Sequence, residues 1–215
     1  MRRVTLSQLG KVNDPIAKAA LAEIEKASAD NNGAFGNELA GSDTLADALA
    51  LLQIREQLTG NRTYYVRTDG SDLNDGLTDD AAGAFLTNTK AVAAIKALDL
   101  NGFNVTVNVR GGTYTSGINV GGQWHGIGAG TVEFIGDVTT PSNVTLNITG
   151  DAISCSGFGA KLTVSGFKVI ATGRGVFSGD GAQLTISGNM DFGACGVHMR
   201  APRSVSYTHL PSPRD

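Results

Sequence analysis

The sequence predicts an all-β solenoid in which short parallel strands stack in successive coils, that is, a parallel β-helix. The first observation is an internal repeat: segments 155–166 (CSGFGAKLTVSG) and 177–188 (FSGDGAQLTISG) are identical at eight of twelve positions, 22 residues apart. The second is the alternation of aliphatic and small polar residues within both segments. The third is glycine, 29 of 215 residues, which suits sharp corners between short strands. A repeat of this length is typical of stacked supersecondary units.

The same alternation identifies the individual strands. It predicts strands over residues 105–109, 144–149, 162–165 and 184–187, with aliphatic residues facing inward and Thr, Ser or Asn facing outward. A coil of about 22 residues with two or three such strands has the size of one turn of a parallel β-helix. Leucine-rich repeats have a similar period, but this sequence lacks the spacing of Leu and Asn that they require. An antiparallel sandwich would also give short alternating strands, but it does not explain the 22-residue register.

The N-terminal part predicts helices. One amphipathic helix begins at Asp14, and a second, rich in leucine, runs from about Ser42 to Leu58. Each is too short to bury its apolar face alone. We therefore expect residues 1–60 to form a helical attachment or oligomerisation region, and a local hairpin without such a role is the alternative.

The last twelve residues, 204–215 (SVSYTHLPSPRD), show neither strand alternation nor the repeat. They resemble translated sequencing-library adaptor. This resemblance implies that residues 204–215 are a non-native tail and that the β-helix of residues 61–203 is truncated at its C-terminal end.

Composition excludes several classes of function. Charged residues make up 17% of the chain and the net charge is −3, so there is no basic stripe of the kind that nucleic acid requires. No apolar run reaches 18 residues, so we expect no membrane insertion, and the first residues lack the apolar core of a secretory signal. Cys155 takes the position that Phe177 holds one repeat later, which favours a small buried residue over a functional thiol.

Residues 61–116 carry a family resemblance. The run 64–77 (YYVRTDGSDLNDGL), the following residues 85–87 (FLT), a predicted helix over about 89–98 and the strand 105–109 resemble the entry segment of the pectin-lyase-like right-handed β-helix proteins. The resemblance implies right-handed coils over residues 61–203 and a helix that caps their open end.

A short helical region ahead of such coils is similar to bacteriophage tail spikes and tail fibres. This resemblance implies a homotrimeric structural protein of the virion tail that binds host cell-surface polysaccharide and other tail or baseplate proteins. Two alternatives stay open: a polysaccharide lyase or glycoside hydrolase with its active site in missing C-terminal coils, and a bacterial surface adhesin. The 22-residue register places no two carboxylates of residues 101–203 on one strand face as an acid/base pair, so no catalytic residue is assigned.

Candidate carbohydrate contacts come from two features of the sequence. Outward strand positions would stack into an uncharged polar face that suits sugar hydroxyls, and an aromatic ring beside a polar group in a Gly-rich corner suits stacking on a sugar. These residues are Thr163, Ser165, Thr185, Ser187, Trp124 and His125. The alternatives are that Thr and Ser are ordinary outward strand residues and that the tryptophan belongs to the core.

An oxygen-rich segment is a weak candidate for calcium. It contains Asp69, Asp72, Asn74 and Asp75, whose side chains are of the kind that calcium prefers. Their spacing is not that of an EF-hand, and Asp-Gly sequences are also ordinary turn chemistry. Apart from this possible calcium, the sequence predicts no cofactor.

Overall fold

The structure is a computed structural model that describes residues 55–201. The chain divides into two compact units, Met1–Glu56 and Gln57–Asp215, and the account below concerns the second unit. The helix predicted from Asp14 and the tail 204–215 lie outside the described residues.

Most of the described chain consists of short strands, and one of them is long. Within residues 55–201 there are one α-helix, one 3-10 turn and thirteen strands, with these bounds in chain order: β1 Glu56–Gln57, β2 Arg62–Val66, α1 Asn88–Lys96, β3 Leu98–Asp99, β4 Val105–Val109, β5 Gly112–Tyr114, β6 Ile118–Gly121, β7 Val132–Ile135, the 3-10 turn Pro141–Asn143, β8 Val144–Ile148, β9 Ile153–Ser156, β10 Lys161–Ser165, β11 Phe167–Gly179, β12 Gln183–Ile186 and β13 Met190–Arg200.

The strands pair in parallel within distinct sheets. A five-stranded sheet has the order β12-β10-β7-β4-β2, and a six-stranded sheet has the order β5-β8-β11-β9-β6 with β13 also paired to β11. A further two-stranded sheet includes β3. The six-stranded sheet is curled like half a barrel. All the described pairings in the two large sheets are parallel, so like ends of the strands meet at the same edge.

Alternation along each strand produces the core, as the sequence predicts. In β4 the three valines are buried while Thr106 and Asn108 face outward, because successive side chains of a strand point to opposite faces. Across the five-stranded sheet, Val107 lies opposite Phe134, and Phe134 lies opposite Val164. The buried side chains of both large sheets belong to one apolar cluster, which extends along the chain from Leu58 to Met190.

The internal repeat corresponds to one pair of neighbouring strands. Leu162 of β10 lies directly opposite Leu184 of β12, and the strands run parallel. Cys155 is fully buried in the same core, as its place in the repeat predicts. The predicted alternation and the local pairing of the repeat are therefore confirmed.

The predicted fold class, a single right-handed parallel β-helix, is wrong. The strands form separate sheets instead of one solenoid. The prediction extended a 22-residue spacing to the whole chain, but paired residues elsewhere are separated by other distances: Arg62 pairs with Val105, 43 residues later, and Thr106 pairs with Glu133, 27 residues later. Moreover β11 continues for 13 residues without a corner and pairs with both β8 and β9 along its length.

The helix near residue 89 is confirmed, and the end of an earlier one is corrected. Helix α1 begins after Thr87, whose hydroxyl accepts the backbone N–H of Lys90 as an N-cap. The helix predicted to run to Leu58 does not include its last residues, since Glu56–Gln57 is strand β1. Among residues 55–201, no helix combines the length and the apolar character needed to cross a bilayer.

Candidate functional site

The outward face of the five-stranded sheet is lined by polar side chains in register. Thr163 lies opposite Glu133 on one side and Thr185 on the other, and the row continues through Thr106 to Thr63. Neighbouring strands of a sheet are about 4.8 Å apart. The sheet therefore presents a row of small hydroxyl side chains, interrupted by one carboxylate.

A second row lies at the beginnings of the same strands. The side-chain oxygen of Asn61 accepts the backbone N–H of Asn104 at 2.9 Å. The side-chain oxygen of Asn104 in turn accepts the backbone N–H and the hydroxyl of Thr131. These bonds join three successive layers of the sheet. The next two layers of this row are formed by Lys161 and Gln183, which lie opposite each other on β10 and β12.

A half-open cavity of about 240 Å³ lies over the beginnings of β7, β10 and β12. We call it the polar groove, and the residues that line it are Ala129, Gly130, Thr131, Val132, Lys161, Leu162, Thr163, Gln183 and Thr185.

Four polar side chains of this groove have no partner within residues 55–201. The ammonium of Lys161, the amide of Gln183 and the hydroxyls of Thr163 and Thr185 make no hydrogen bond or ion pair with other described residues. By contrast, Thr131 at the rim is bonded to Asn104. The groove thus combines donors and acceptors that are available to a ligand, and a lysine can serve as a charged donor of three hydrogen bonds.

The groove contains two of the six predicted carbohydrate contacts, Thr163 and Thr185. Ser187 lies close by, and its hydroxyl donates to Glu133 Oε1 at 3.0 Å. Ser165 is 3% exposed and packs against the position of Gly188, so it offers no hydroxyl to the surface.

The tryptophan corner is divided between the core and the surface. Trp124 is 1% exposed, so its ring cannot stack on a ligand, whereas His125 next to it is exposed. Indole Nε1 of Trp124 donates to the backbone carbonyl of Lys161 at 2.5 Å. The core alternative for this tryptophan therefore fits its position, and its bond is made to a residue of the groove.

The structure also exposes an aromatic ring that the sequence reasoning did not select. Phe158 is 89% exposed, and its Cδ2 lies 3.4 Å from the position that a Cβ on Gly181 would occupy. The ring therefore leans over the corner that leads into Gln183 of the groove. A signal was present in the repeat: Phe158 is aligned with Asp180, so it stands at a solvent-facing corner position where an aromatic residue has no core to enter.

Two of the calcium candidates accept hydrogen bonds from nearby backbone groups. Asp72 accepts the backbone N–H groups of Leu86 and Thr87 and the Thr87 hydroxyl. Asp75 accepts the backbone N–H of Leu77. The amide of Asn74 donates its hydrogens to backbone carbonyls, which turns its nitrogen rather than its oxygen towards those groups.

The remaining candidate, Asp69, belongs to an ion-pair network. Arg67 pairs with Asp69 and also contacts Asp79, and Asp79 is paired with Arg110. The hydrogen bond from Arg110, with a further contribution from Arg67, lowers the pKa of the Asp79 carboxyl. Among the described residues, no three His, Cys, Asp or Glu side chains converge as a metal site.

The carboxylates of the later strands are mostly engaged in structural contacts. Asp137 accepts the backbone N–H groups of Thr139 and Thr140, and Asp151 pairs with Arg174. Those hydrogen bonds lower the pKa of both carboxyls. Glu133 accepts from Ser187 beside the groove. The observed geometry therefore favours ligand binding at the polar groove over acid/base chemistry between these acids.

No protein-family model, curated protein or solved structure matches the chain. A functional assignment of the groove therefore depends on its own geometry and chemistry.

Proposed function

We propose that this protein is a structural protein that binds surface glycan and that the polar groove is its binding site. The observation that carries the proposal is the set of four unpartnered polar side chains, Lys161, Gln183, Thr163 and Thr185, in one cavity of the described chain. Surface polar groups without partners are common, but four that converge on one cavity form a pattern suited to a ligand rich in hydroxyls.

The exposed ring of Phe158 supports a carbohydrate ligand. An aromatic face stacks on the apolar face of a sugar while the hydroxyls at the sugar's edge bond to neighbouring polar groups. Phe158 lies three residues before Lys161, and its ring reaches the corner at Gly181, two residues before Gln183. A ring at one end and hydroxyl and amide groups along the floor are the complementary halves of such a site.

The size of the groove indicates what part of a glycan it holds. Its volume of about 240 Å³ is below the range of about 300–1,000 Å³ that is usual for pockets enclosing a whole small ligand. Because the groove is also half open, it suits a short segment of a longer polysaccharide better than a free small molecule.

The placement in a phage tail is supported by the sequence pattern of a short helical region ahead of the entry segment, which is similar to that of tail spikes and tail fibres. In that setting the glycan would belong to the host surface, and the partners would be two further copies of the chain and other tail or baseplate proteins.

The test compares two double variants on the same sheet face. The full chain is applied to an array of oligosaccharides from bacterial capsules and lipopolysaccharides, and bound glycans are followed by calorimetric titration. We expect T163A/T185A to weaken binding at least tenfold, since hydrogen bonds to bound ligands contribute about 1 kcal/mol each. F158A is expected to weaken the binding of the same glycans.

The control is T63A/T106A, which removes two hydroxyls from the same face outside the groove. It should bind as the parent does. Absence of binding to every glycan on the array, or equal losses in both double variants, would overturn the proposal. Release of unsaturated or reducing products from a bound glycan would show instead that the protein is an enzyme.

A further inference from the structure

The groove is supported from below by buried polar side chains. Trp124 Nε1 donates to the carbonyl of Lys161, the first residue of β10. The thiol of Cys155 lies 3.9 Å from the carbonyl of Gln183, the first residue of β12, in the geometry of a weak S–H donor. These two carbonyls belong to two of the four residues that project free polar side chains into the groove.

A lysine from the helix lies against this support. Lys96, the last residue of α1, donates from Nζ to the carbonyls of Gly122 and Gln123 at 2.8 and 2.9 Å. Its Nζ also lies 4.4 Å from the centre of the Trp124 ring, the arrangement of a cation–π contact. Lys96 thus fixes both the ring and the corner of backbone that leads into it.

Burial strengthens these contacts. Partial burial lowers the pKa of Lys96, and burial raises the pKa of the Cys155 thiol to about 12. At neutral pH the thiol therefore keeps its proton and remains a donor to Gln183. A cation and a ring shielded from water attract each other more strongly than the same pair on the surface.

We propose that Lys96 is a positioning residue of the polar groove, acting through Trp124 on the backbone of Lys161. This inference rests on the proposed function of the groove, but the path of contacts does not depend on which glycan binds. Helix α1 contributes no lining residue, yet it sets the place from which the Lys161 side chain extends. The Lys96–Trp124 contact couples the end of the helix to the binding surface.

The chain contains a single tryptophan, so its emission reports directly on this contact. The experiment uses the full-length chain with K96M, which keeps a long apolar stem and removes the charge. We expect the Trp124 emission to shift to longer wavelength and to become more sensitive to acrylamide quenching, because the corner of residues 122–124 loses its anchor. Binding of the array glycans should weaken about tenfold, the loss typical of a hydrogen bond to a charged group.

Two controls separate positioning from a general effect on the helix. K90M changes a lysine on the same helix for which the structure shows no side-chain contact with the groove, and it should leave both emission and binding unchanged. K96R keeps the charge and should recover most of the binding. Equal losses in K90M and K96M would overturn the inference.

The remaining outcomes are also decisive. Unchanged emission and parental binding in K96M would overturn the positioning role while leaving the groove as a glycan site. If the parent chain binds no glycan, the proposed function fails, and the emission and quenching of K96M still decide whether Lys96 anchors the corner. If K96M does not fold, W124F takes its place: it keeps the ring and loses the donor to Lys161, so parental binding in W124F would overturn the relay.

Discussion

Gly76 shows how a single position in this chain can require glycine. Its φ of 77° lies in the left-handed region, and a Cβ added there would come within 2.2 Å of the Phe85 ring. Phe85 is 1% exposed, and its ring packs against that of Tyr64 with the ring centres 5.5 Å apart, so we expect little room for it to move aside. Both the backbone conformation and the close approach of the ring exclude a side chain.

Gly102 provides a matched comparison, because its φ is 78° and nothing lies within 4 Å of the Cβ position. We expect G102A to cost about 1 kcal/mol of unfolding free energy, the strain of a left-handed alanine. G76A should cost about 2 kcal/mol more, because it adds overpacking against a fixed ring. Urea unfolding of both variants measures the difference. Equal costs would show that the ring of Phe85 yields.

At the scale of residues, sequence reasoning succeeded where the repeat supplied a partner for comparison. Cys155 was predicted to be buried because it aligns with Phe177, and it is buried. Trp124 has no counterpart in the repeat, so its hydrogen bond to Lys161, 37 positions later, had no signal in the sequence. A hydrogen bond of that kind depends on which loops, distant in sequence, the fold brings into contact.

Strand β11 is the element that most changes the architecture. Its pairing with β13 shifts register twice, between Val169 and Ala171 and between Ala171 and Arg174. At the second shift, the N–H of Gly173 donates to the carbonyl of Gly150, and Asp151 is paired with Arg174. The guanidinium of Arg174 also lies 3.5 Å from the centre of the Phe177 ring. These contacts allow one strand to serve where the prediction required two strands and a corner.

The Asp151–Arg174 pair predicts a dependence of stability on pH. The hydrogen bond from Arg174 lowers the folded-state pKa of the Asp151 carboxyl below its ordinary value of about 3.9. Folding therefore favours the ionised form, and the contribution is present above about pH 4 and lost as the pH falls through the folded-state pKa. We expect D151N to lose about 1 kcal/mol at pH 7, the amount typical of a partly exposed ion pair with good geometry.

Urea unfolding at pH 7, 5 and 3 tests this expectation. The parent should lose more stability than D151N between pH 5 and pH 3, because the variant has already lost this contribution. D180N changes an exposed aspartate without a partner among the described residues and should follow the parent at every pH. A decline in D151N as steep as that of the parent would assign the acid sensitivity to other carboxylates.

At the scale of elements, the alternation of aliphatic and polar residues predicted the bounds of β4 and β8 closely. A strand with one buried face requires an aliphatic residue at every second position, and this pattern is visible in the sequence. The continuous course of β11 was not predicted, and the reason is physical. Glycines such as Gly173 are compatible with a corner or with a continuous strand, and the contact that Arg174 makes there is with Asp151, which lies outside the strand.

The whole described unit shares one apolar core. Side chains from both large sheets belong to the same cluster, so neither sheet covers its inner face without the other. Such an arrangement favours a single cooperative unfolding transition. The four free polar side chains of the groove lie outside this core, so they can change without a large cost to the fold.

The core prediction is tested with L162A, since Leu162 is 2% exposed and lies opposite Leu184. We expect a loss of about 2–5 kcal/mol in unfolding free energy from the lost burial and the residual cavity. Trp124 fluorescence and circular dichroism should report the same shift. L73A, at a leucine that is 97% exposed, should change the stability by less than about 0.5 kcal/mol. Separate transitions for the two probes would contradict the shared core.

The global fold was the part of the prediction that failed, although its local pairings were sound. Parallel pairing of 162 with 184 was predicted from the repeat, and it is observed. The step from one repeated pair to a uniform solenoid required the same spacing everywhere, and the pairing of Arg62 with Val105 shows that the spacing differs. The repeat specifies how its own two strands, β10 and β12, pair. The shape of the sheets also depends on the connections between the remaining strands, and the repeat carries no information about those.

The unequal spacing between paired strands has a consequence for how this chain can change. In the two large sheets, between 22 and 43 positions separate residues that lie side by side, as in the pairs Lys161–Gln183 and Arg62–Val105. The hydrogen bonds between two paired strands do not depend on the length of the connection between those strands. A longer surface connection adds little loop-closure entropy. Variants of this chain can therefore gain or lose segments in the connections between strands without moving the strands that carry the groove. The exposed Leu73, between β2 and α1, is one such position.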